Sequence, residues 1–184
     1  EISIAYCLEA VAISQAEGLE ILQPYAECAL SHCYCAAGDL QAPLQAGERA
    51  LTVFEERGNV WWACRTLWVL ATAANAMGAW PRSLEYCRKA LDYGQATNDL
   101  RLKVVGWWRT GSAHIMRGAV EMGRQCCERA LALSPAPFDA TMARAMCGWP
   151  SIKAGDVEAG VAEMEKAVEW FGRSQLHYTR VIFG

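Results

Sequence analysis

The sequence predicts an all-α fold, a right-handed superhelical solenoid of antiparallel helix pairs in units of about 40 residues. A glycine that ends one helical run is followed 12 positions later by alanine and an aliphatic residue. The four copies are Gly38 with Ala50-Leu51, Gly78 with Ala90-Leu91, Gly118 with Ala130-Leu131 and Gly155 with Ala167-Val168. No strand-like alternation persists anywhere along the chain. Self-similarity at such a period indicates a solenoid, because each unit can bury its apolar face only against a neighbour.

Proline and glycine mark the ends of the predicted helices. Gly38 should end a helix in the left-handed conformation, and the carboxylates of Asp39 and Asp156 can cap the helices that follow. Pro24 can begin a helix, whereas Pro150 should kink or shorten one. Helices are predicted near residues 1–16, 22–37, 40–57, 60–77, 80–96, 99–117, 119–133, 138–154 and 157–171, with another starting near Ser174.

This pattern predicts a single repeat domain over residues 1–184, as a piece of a larger protein. The expected parts are a half unit at 1–16, helix pairs at 17–57, 58–97, 98–136 and 137–173, and the start of a further unit at 174–184. The half units leave apolar strips without their partner helices. We therefore expect the chain to self-associate through its truncated ends.

Small residues recur at fixed distances from the repeat glycines. Seven positions before each glycine lie Ser31, Ala71, Gly111 and Gly148, and five positions after it lie Pro43, Ser83, Gly123 and Gly160. Small side chains allow two helix backbones to approach closely. The two helices of each unit are therefore expected to cross at these positions.

These segments resemble the tetratricopeptide (TPR) family, whose helix pair carries a small residue in the first helix, a glycine at the turn and a small residue before Ala-Leu in the second. The pattern is visible in AAGDLQAPLQAGERAL, AMGAWPRSLEYCRKAL, MRGAVEMGRQCCERAL and KAGDVEAGVAEMEKAV. The longer unit also looks like the C-terminal repeats of large bacterial signalling proteins that carry nucleotide cyclase or ATPase modules. The resemblance implies a scaffold for protein–protein interaction.

The resemblance also implies that the first helices line a concave groove, which here would be aromatic and weakly polar. The candidate groove residues are His32, Arg65, Trp68, Thr72, Asn75, Trp108, Ser112 and Trp149. Tryptophan and arginine are common binding anchors, and the chain has 8 tryptophans. The alternative is that the indoles pack as oversized core residues. For a groove, we expect at least two of Trp68, Trp108 and Trp149 to be partly accessible.

Cysteine usage indicates a reduced protein in the cytoplasm. The 9 cysteines lie inside helical patterns, which suits buried thiols better than a disulfide framework. Cys28, His32 and Cys35 share one helix face and could supply three zinc ligands. A structural zinc site needs a fourth ligand, so packed thiols beside a histidine are the favoured interpretation, and no metal is expected.

Charge and motif content exclude several functional classes. A net charge of −3 and a pI of about 5.7 provide no general attraction to nucleic acid or anionic membranes. No phosphate-binding glycine loop, nucleophile elbow or metalloprotease motif occurs, so we expect no catalytic residues, no cofactor and no enzyme activity in this chain. The predicted function is a regulatory protein-interaction module in a multidomain bacterial signalling protein. The alternatives are a structural spacer that packs against other domains of the same chain, or a small-molecule-sensing repeat domain.

Overall fold

A computed structural model describes residues 2–133 and 136–174 of the chain. Within these ranges it contains nine helices and no strand, as the sequence predicts for an all-α solenoid. The helices are α1 (Ile2–Ala16), α2 (Gln23–Ala37), α3 (Ala42–Glu56), α4 (Val60–Ala76), α5 (Trp80–Ala96), α6 (Leu100–Met116), α7 (Val120–Ala132), α8 (Pro137–Lys153) and α9 (Val157–Arg173). The helix expected to start near Ser174 falls on residues 175–184, outside the described ranges.

The helices form two compact units, Glu1–Tyr93 and Gly94–Gly184. In the first unit, α1 packs on α2, α2 on α3 and α3 on α4, while α2 also touches α4. In the second unit, α6 packs on α7, α7 on α8 and α8 on α9, while α6 also touches α8. Helices that contact the next helix along the chain, and also the one after it, are typical of a helical repeat. We call α2, α4, α6 and α8 the first helices of their pairs, and α3, α5, α7 and α9 the second helices.

The repeated alanine marks the buried centre of each second helix. Ala50, Ala90 and Ala130 have no exposed surface, and Ala167 is 2% exposed. A larger side chain at any of these positions would have to displace the facing helix. The recurring alanine in the sequence is therefore a packing requirement of every helix pair.

In the first unit, the two helices of each pair cross at the predicted small residues, where a serine hydroxyl group donates a hydrogen bond to the facing backbone. Ser31 Oγ donates to the carbonyl oxygen of Pro43 at 2.8 Å, and Ser83 Oγ donates to that of Ala71, also at 2.8 Å. Both serines are buried. A small hydroxyl side chain therefore links the two backbones of each pair directly.

In the second unit the same crossing positions are occupied by pairs of glycines. A Cβ atom added to Gly111 would lie 2.8 Å from the carbonyl oxygen of Gly123, and one added to Gly148 would lie 2.7 Å from that of Gly160. Side-chain carbons do not approach backbone oxygens so closely. Glycine is therefore required for the backbone contact at both crossings.

Two series of turns carry left-handed residues. The predicted series connects first to second helices, and its glycines have φ angles from 73° at Gly78 to 97° at Gly155. A second series, which the sequence analysis missed, connects second to first helices at Gly18, Gly58 and Asn98, spaced by 40 residues. Asparagine replaces glycine in the third member because it tolerates the left-handed region better than most residues do.

The predicted caps and one of the two proline predictions are confirmed. Asp39 accepts from the amides of Gln41 and Ala42 at 3.1 Å, and Asp156 accepts from the amide of Ala159 at 3.2 Å. Pro24 lies in the first turn of α2, as predicted.

Pro150 does not shorten its helix. Instead, α8 continues through it to Lys153. Of the two predicted effects, a kink or a shortened helix, the shortened helix is therefore wrong. Proline removes one backbone donor, and the rest of the final turn continues with Ala154 N donating to the Pro150 carbonyl oxygen at 2.9 Å.

A repeated polar contact joins α3 to α5 in the first unit. Tyr86 donates to Glu48 at 2.6 Å and, seven residues later, Tyr93 donates to Glu55 at 2.9 Å. Lys89 adds an ion pair to Glu55 at 2.6 Å. Burial, reinforced by the adjacent carboxylate, raises the pKa of each tyrosine to about 12. Both hydroxyl groups therefore remain protonated donors at neutral pH.

Candidate functional site

One face of α4 carries four of the predicted groove residues. We define the α4 stripe as Trp61, Arg65, Trp68, Thr72 and Asn75. Their spacing of four, three, four and three residues places them along a single face of the helix. The side chain of Asn59 fixes where α4 begins, because it accepts from the amide of Trp62 at 3.4 Å.

The two indoles of the α4 stripe are in contact with each other. The ring of Trp61 contacts that of Trp68 edge-on, with the centroids 6.0 Å apart. Trp61 is half-buried, whereas Trp68 is only 8% exposed. Trp61 therefore presents more of its ring to solvent than Trp68 does.

Arg65 is held over an aromatic cluster. Its guanidinium lies 5.2 Å from the ring centroid of Trp62. Trp62 contacts Tyr25 edge-on at 4.9 Å and stacks against Phe54 at 6.0 Å. Stacking on a fixed ring restricts the guanidinium before any partner binds, which lowers the entropic cost of using it.

Two buried donors on the α4 stripe have no acceptor. Arg65 Nε and Trp68 Nε1 are both buried, and no acceptor for either is found among residues 2–133 and 136–174. A buried donor without an acceptor costs about 1–3 kcal/mol. A partner that supplied a carbonyl or carboxylate oxygen to this position would recover part of that free energy.

The polar end of the α4 stripe is more accessible. Thr72 is exposed, and its hydroxyl donates to the carbonyl oxygen of Trp68 at 2.8 Å. Asn75 is half-buried one turn further along. The stripe therefore changes from aromatic and cationic at its start to neutral and polar at its end.

On α2, which packs against α4, Cys28 is a packing residue. It is 2% exposed, and Thr66 Oγ1 donates to its sulfur at 3.3 Å. Burial raises the pKa of the Cys28 thiol, with partial compensation from the Thr66 hydrogen bond and the Arg65 charge. His32 is half-buried on the same helix. In the described part of the chain, no group of three or more His, Cys, Asp or Glu side chains has the geometry of a metal site.

The indoles of the second unit differ in accessibility. Trp108 on α6 is 6% exposed and lies under the guanidinium of Arg109 at 4.6 Å, whereas Trp149 on α8 is half-buried. Ser112, one turn after Trp108, is also half-buried. The expectation of two accessible indoles among Trp68, Trp108 and Trp149 is therefore wrong. Trp61 packs edge-on against Trp68, and the guanidinium of Arg109 lies over the ring of Trp108.

Trp61 and the buried carboxylate Asp139 were not among the residues predicted from the sequence. Trp61 precedes Trp68 by seven residues, and this heptad spacing was the available signal. Asp139 on α8 is 3% exposed, and its Oδ2 pairs with Arg101 Nε on α6 at 3.2 Å. Burial raises the pKa of Asp139, against the lowering effect of Arg101 and Arg109. No pattern in the sequence distinguishes this aspartate from a solvated one.

Among the described residues, no helix is both long enough and apolar enough to cross a lipid bilayer.

Successive helix pairs that cross at intervals of 37 to 40 residues define the class of a helical repeat protein. Among solved structures, 18 chains match this one. The apo form of RapI matches with a TM-score of 0.75 and 17% sequence identity, over 94% of this chain. The chain spans 65% of the length of that RapI chain. No protein-family model and no curated protein matches the sequence. At this identity the likeness shows the fold alone, and helical repeat folds commonly serve as protein-interaction modules.

Proposed function

We propose that this chain is a protein-interaction module that binds a peptide or protein partner on the α4 stripe. The observation that carries the proposal is the combination of half-buried Trp61 and Arg65 beside the buried indole of Trp68. Tryptophan and arginine contribute most often to binding hot spots. A partner would cover the outer face of Trp61 and accept hydrogen bonds from Arg65.

The unsatisfied donors indicate which chemistry the partner presents. Arg65 Nε and Trp68 Nε1 require acceptors, and an extended peptide backbone presents a carbonyl oxygen at every residue. The ring of Trp61 would have to move aside for an oxygen atom to reach Trp68. We therefore infer a partner segment with exposed backbone carbonyls or an acidic side chain, flanked by an apolar residue that packs on Trp61.

The other predicted groove residues have supporting roles in this proposal. His32 and Asn75 would provide polar contacts in the first unit. Trp108, Ser112 and Trp149 would form a separate contact area on the second unit. The role would be regulatory, within a larger cytoplasmic signalling protein of bacterial type.

A structural spacer is the second candidate. Burial of Trp68 and Trp108 favours it, because a well-packed indole stabilises a repeat array without any partner. In a spacer, the same surface would pack permanently against neighbouring domains. The two functions differ in whether the surface binds a separate molecule.

A random peptide library displayed in vitro provides a direct test. Peptides selected on the wild-type protein are measured against Arg65→Ala and Trp61→Ala, with Arg88→Ala as a matched control. Arg88 is a largely exposed arginine on α5, paired with Asp92 on the same helix at 3.2 Å. Each stripe substitution should weaken binding by at least about 10-fold, and the control should leave it unchanged.

Failure of the selection to yield any binder would contradict the interaction module and favour the spacer. Selected peptides that bind all three variants equally would show that the α4 stripe is not the binding surface. Circular dichroism of each variant establishes that lost binding does not reflect lost folding.

A further inference from the structure

Two thiol groups lie next to each other between α1 and α2. The sulfur atoms of Cys7 and Cys33 are 3.8 Å apart, within hydrogen-bonding distance. Both residues are half-buried, and they are separated by 26 positions in the sequence. A disulfide bond is about 2.05 Å long, so modest side-chain rotation brings the sulfur atoms to bonding distance.

This pair is more accessible than five of the other seven thiols. The buried cysteines are Cys28, Cys64, Cys87, Cys126 and Cys127. A small-molecule oxidant must reach a sulfur atom, so those five are protected by packing. Cys127 interacts with the Cys147 thiol, but Cys127 itself is fully buried. Cys7 and Cys33 combine mutual proximity with partial exposure of both residues.

We propose that Cys7 and Cys33 form a reversible disulfide that fastens α1 to α2 in response to a small-molecule disulfide such as oxidised glutathione. One protein thiolate attacks a sulfur of the oxidant, which releases one thiolate and leaves a mixed disulfide. The second protein thiolate then attacks the protein sulfur of that mixed disulfide and releases the other small thiolate. The protein thiols are oxidised by two electrons, and one oxidant is reduced to two small thiols.

The bond would matter because α1 is weakly held. Its least exposed positions form a narrow strip of Ile4, Cys7, Val11 and Ser14, and only Ser14 is fully buried. Large apolar side chains elsewhere on the helix are exposed, including Ile2 at 75% and Tyr6 at 68%. A cross-link centred on this strip prevents α1 from separating from α2 and presenting more apolar surface.

Reaction rate should depend on pH. Burial and the adjacent Cys33 raise the pKa of the Cys7 thiol. Since the thiolate is the reacting form, oxidation should accelerate as the pH rises above neutral. A raised pKa leaves less of Cys7 in the thiolate form at neutral pH, so attack by Cys7 is slower there.

The test uses the 184-residue protein in buffers of reduced and oxidised glutathione, quenched with acid. Cleavage after glutamate releases Cys7 in a peptide of residues 2–9 and Cys33 in a peptide of residues 28–48. Mass spectrometry should find these peptides linked, with the loss of two hydrogen atoms, and fragmentation should place the bond on Cys33. Formation of the disulfide between Cys7 and Cys33 should slow hydrogen exchange in α1 by roughly 100-fold.

Two serine variants distinguish the pair from neighbouring thiols. Cys33→Ser should abolish both the linked peptide and the slower hydrogen exchange, while Cys35→Ser should leave both unchanged. The proposal is overturned if no peptide links Cys7 to Cys33, or if Cys35→Ser removes the link and Cys33→Ser does not. Unaltered hydrogen exchange in the cross-linked protein would equally overturn the proposed fastening of α1.

Discussion

Replacement of Gly111 by alanine tests the close helix crossing of the second unit. The added Cβ would lie 2.6 Å from Cys127 Sγ and 2.8 Å from the Gly123 carbonyl oxygen. The sulfur can rotate away, but the oxygen belongs to the backbone of α7. The helices must therefore separate by several tenths of an ångström to restore an ordinary contact.

Two opposing effects set the size of the change. Alanine is favoured over glycine inside a helix by about 1 kcal/mol. Overpacking of a tight interior contact costs about 1–3 kcal/mol, and more when backbone must move. Because the backbone oxygen cannot rotate away, we expect the larger part of that range. The net loss in free energy of unfolding should be about 1–2 kcal/mol, after subtraction of the helix preference.

Urea denaturation followed by far-ultraviolet circular dichroism measures this change. Ala29→Gly, on the exposed face of α2, serves as the control for helix preference alone and should cost about 1 kcal/mol. If Gly111→Ala instead stabilises the protein by a similar amount, the helices do not approach as closely as described. The account of the recurring small residues would then be wrong.

Three further substitutions test buried or strained groups. Asp139→Asn should stabilise the protein more at pH 7 than at pH 3, because burial raises the pKa of Asp139 and the folded state loses stability as the carboxyl ionises. Tyr86→Phe should reduce the loss of stability between about pH 10 and 12, since the raised pKa of Tyr86 makes the folded state resist ionisation. Asn98→Ala should cost about 1 kcal/mol, because φ at Asn98 is 53°.

Each of these predictions has its own measurement and contradicting result. For Asp139→Asn, urea denaturation should show a larger gain in the free energy of unfolding at pH 7 than at pH 3. An equal gain at both pH values would contradict the raised pKa of Asp139. For Tyr86→Phe, ultraviolet titration should lose one tyrosine that ionises near pH 12, and loss of an earlier ionisation would be inconsistent. For position 98, Asn98→Gly is the control, and a cost as large as that of Asn98→Ala would exclude backbone strain as the cause.

The helices could be predicted from the sequence because their packing repeats. Ala50 and its counterparts are fully buried, so their spacing indicates where each second helix crosses the first. Each predicted end of the nine described helices lies within two residues of the observed end. The turn series at Gly18, Gly58 and Asn98 was missed because its third member is not a glycine.

The exposure of the tryptophans could not be predicted in the same way. A heptad pattern places Trp61 and Trp68 on one face, but it does not specify which indole covers the other. Arg109 is adjacent to Trp108 in the sequence, and only the rotamer of its side chain brings the guanidinium over the ring. Exposure of large side chains depends on such local choices, which the repeat leaves open.

Hydrogen exchange of the complex with a library-selected peptide tests the proposed binding surface most directly. Amides of α4, Val60–Ala76, should exchange more slowly in the complex than in the free protein, and Arg65→Ala should remove this protection. The second helices α3 and α5 should be little changed. Protection confined to α3 or α5, or protection of α4 that persists in the Arg65→Ala variant, would contradict binding on the α4 stripe.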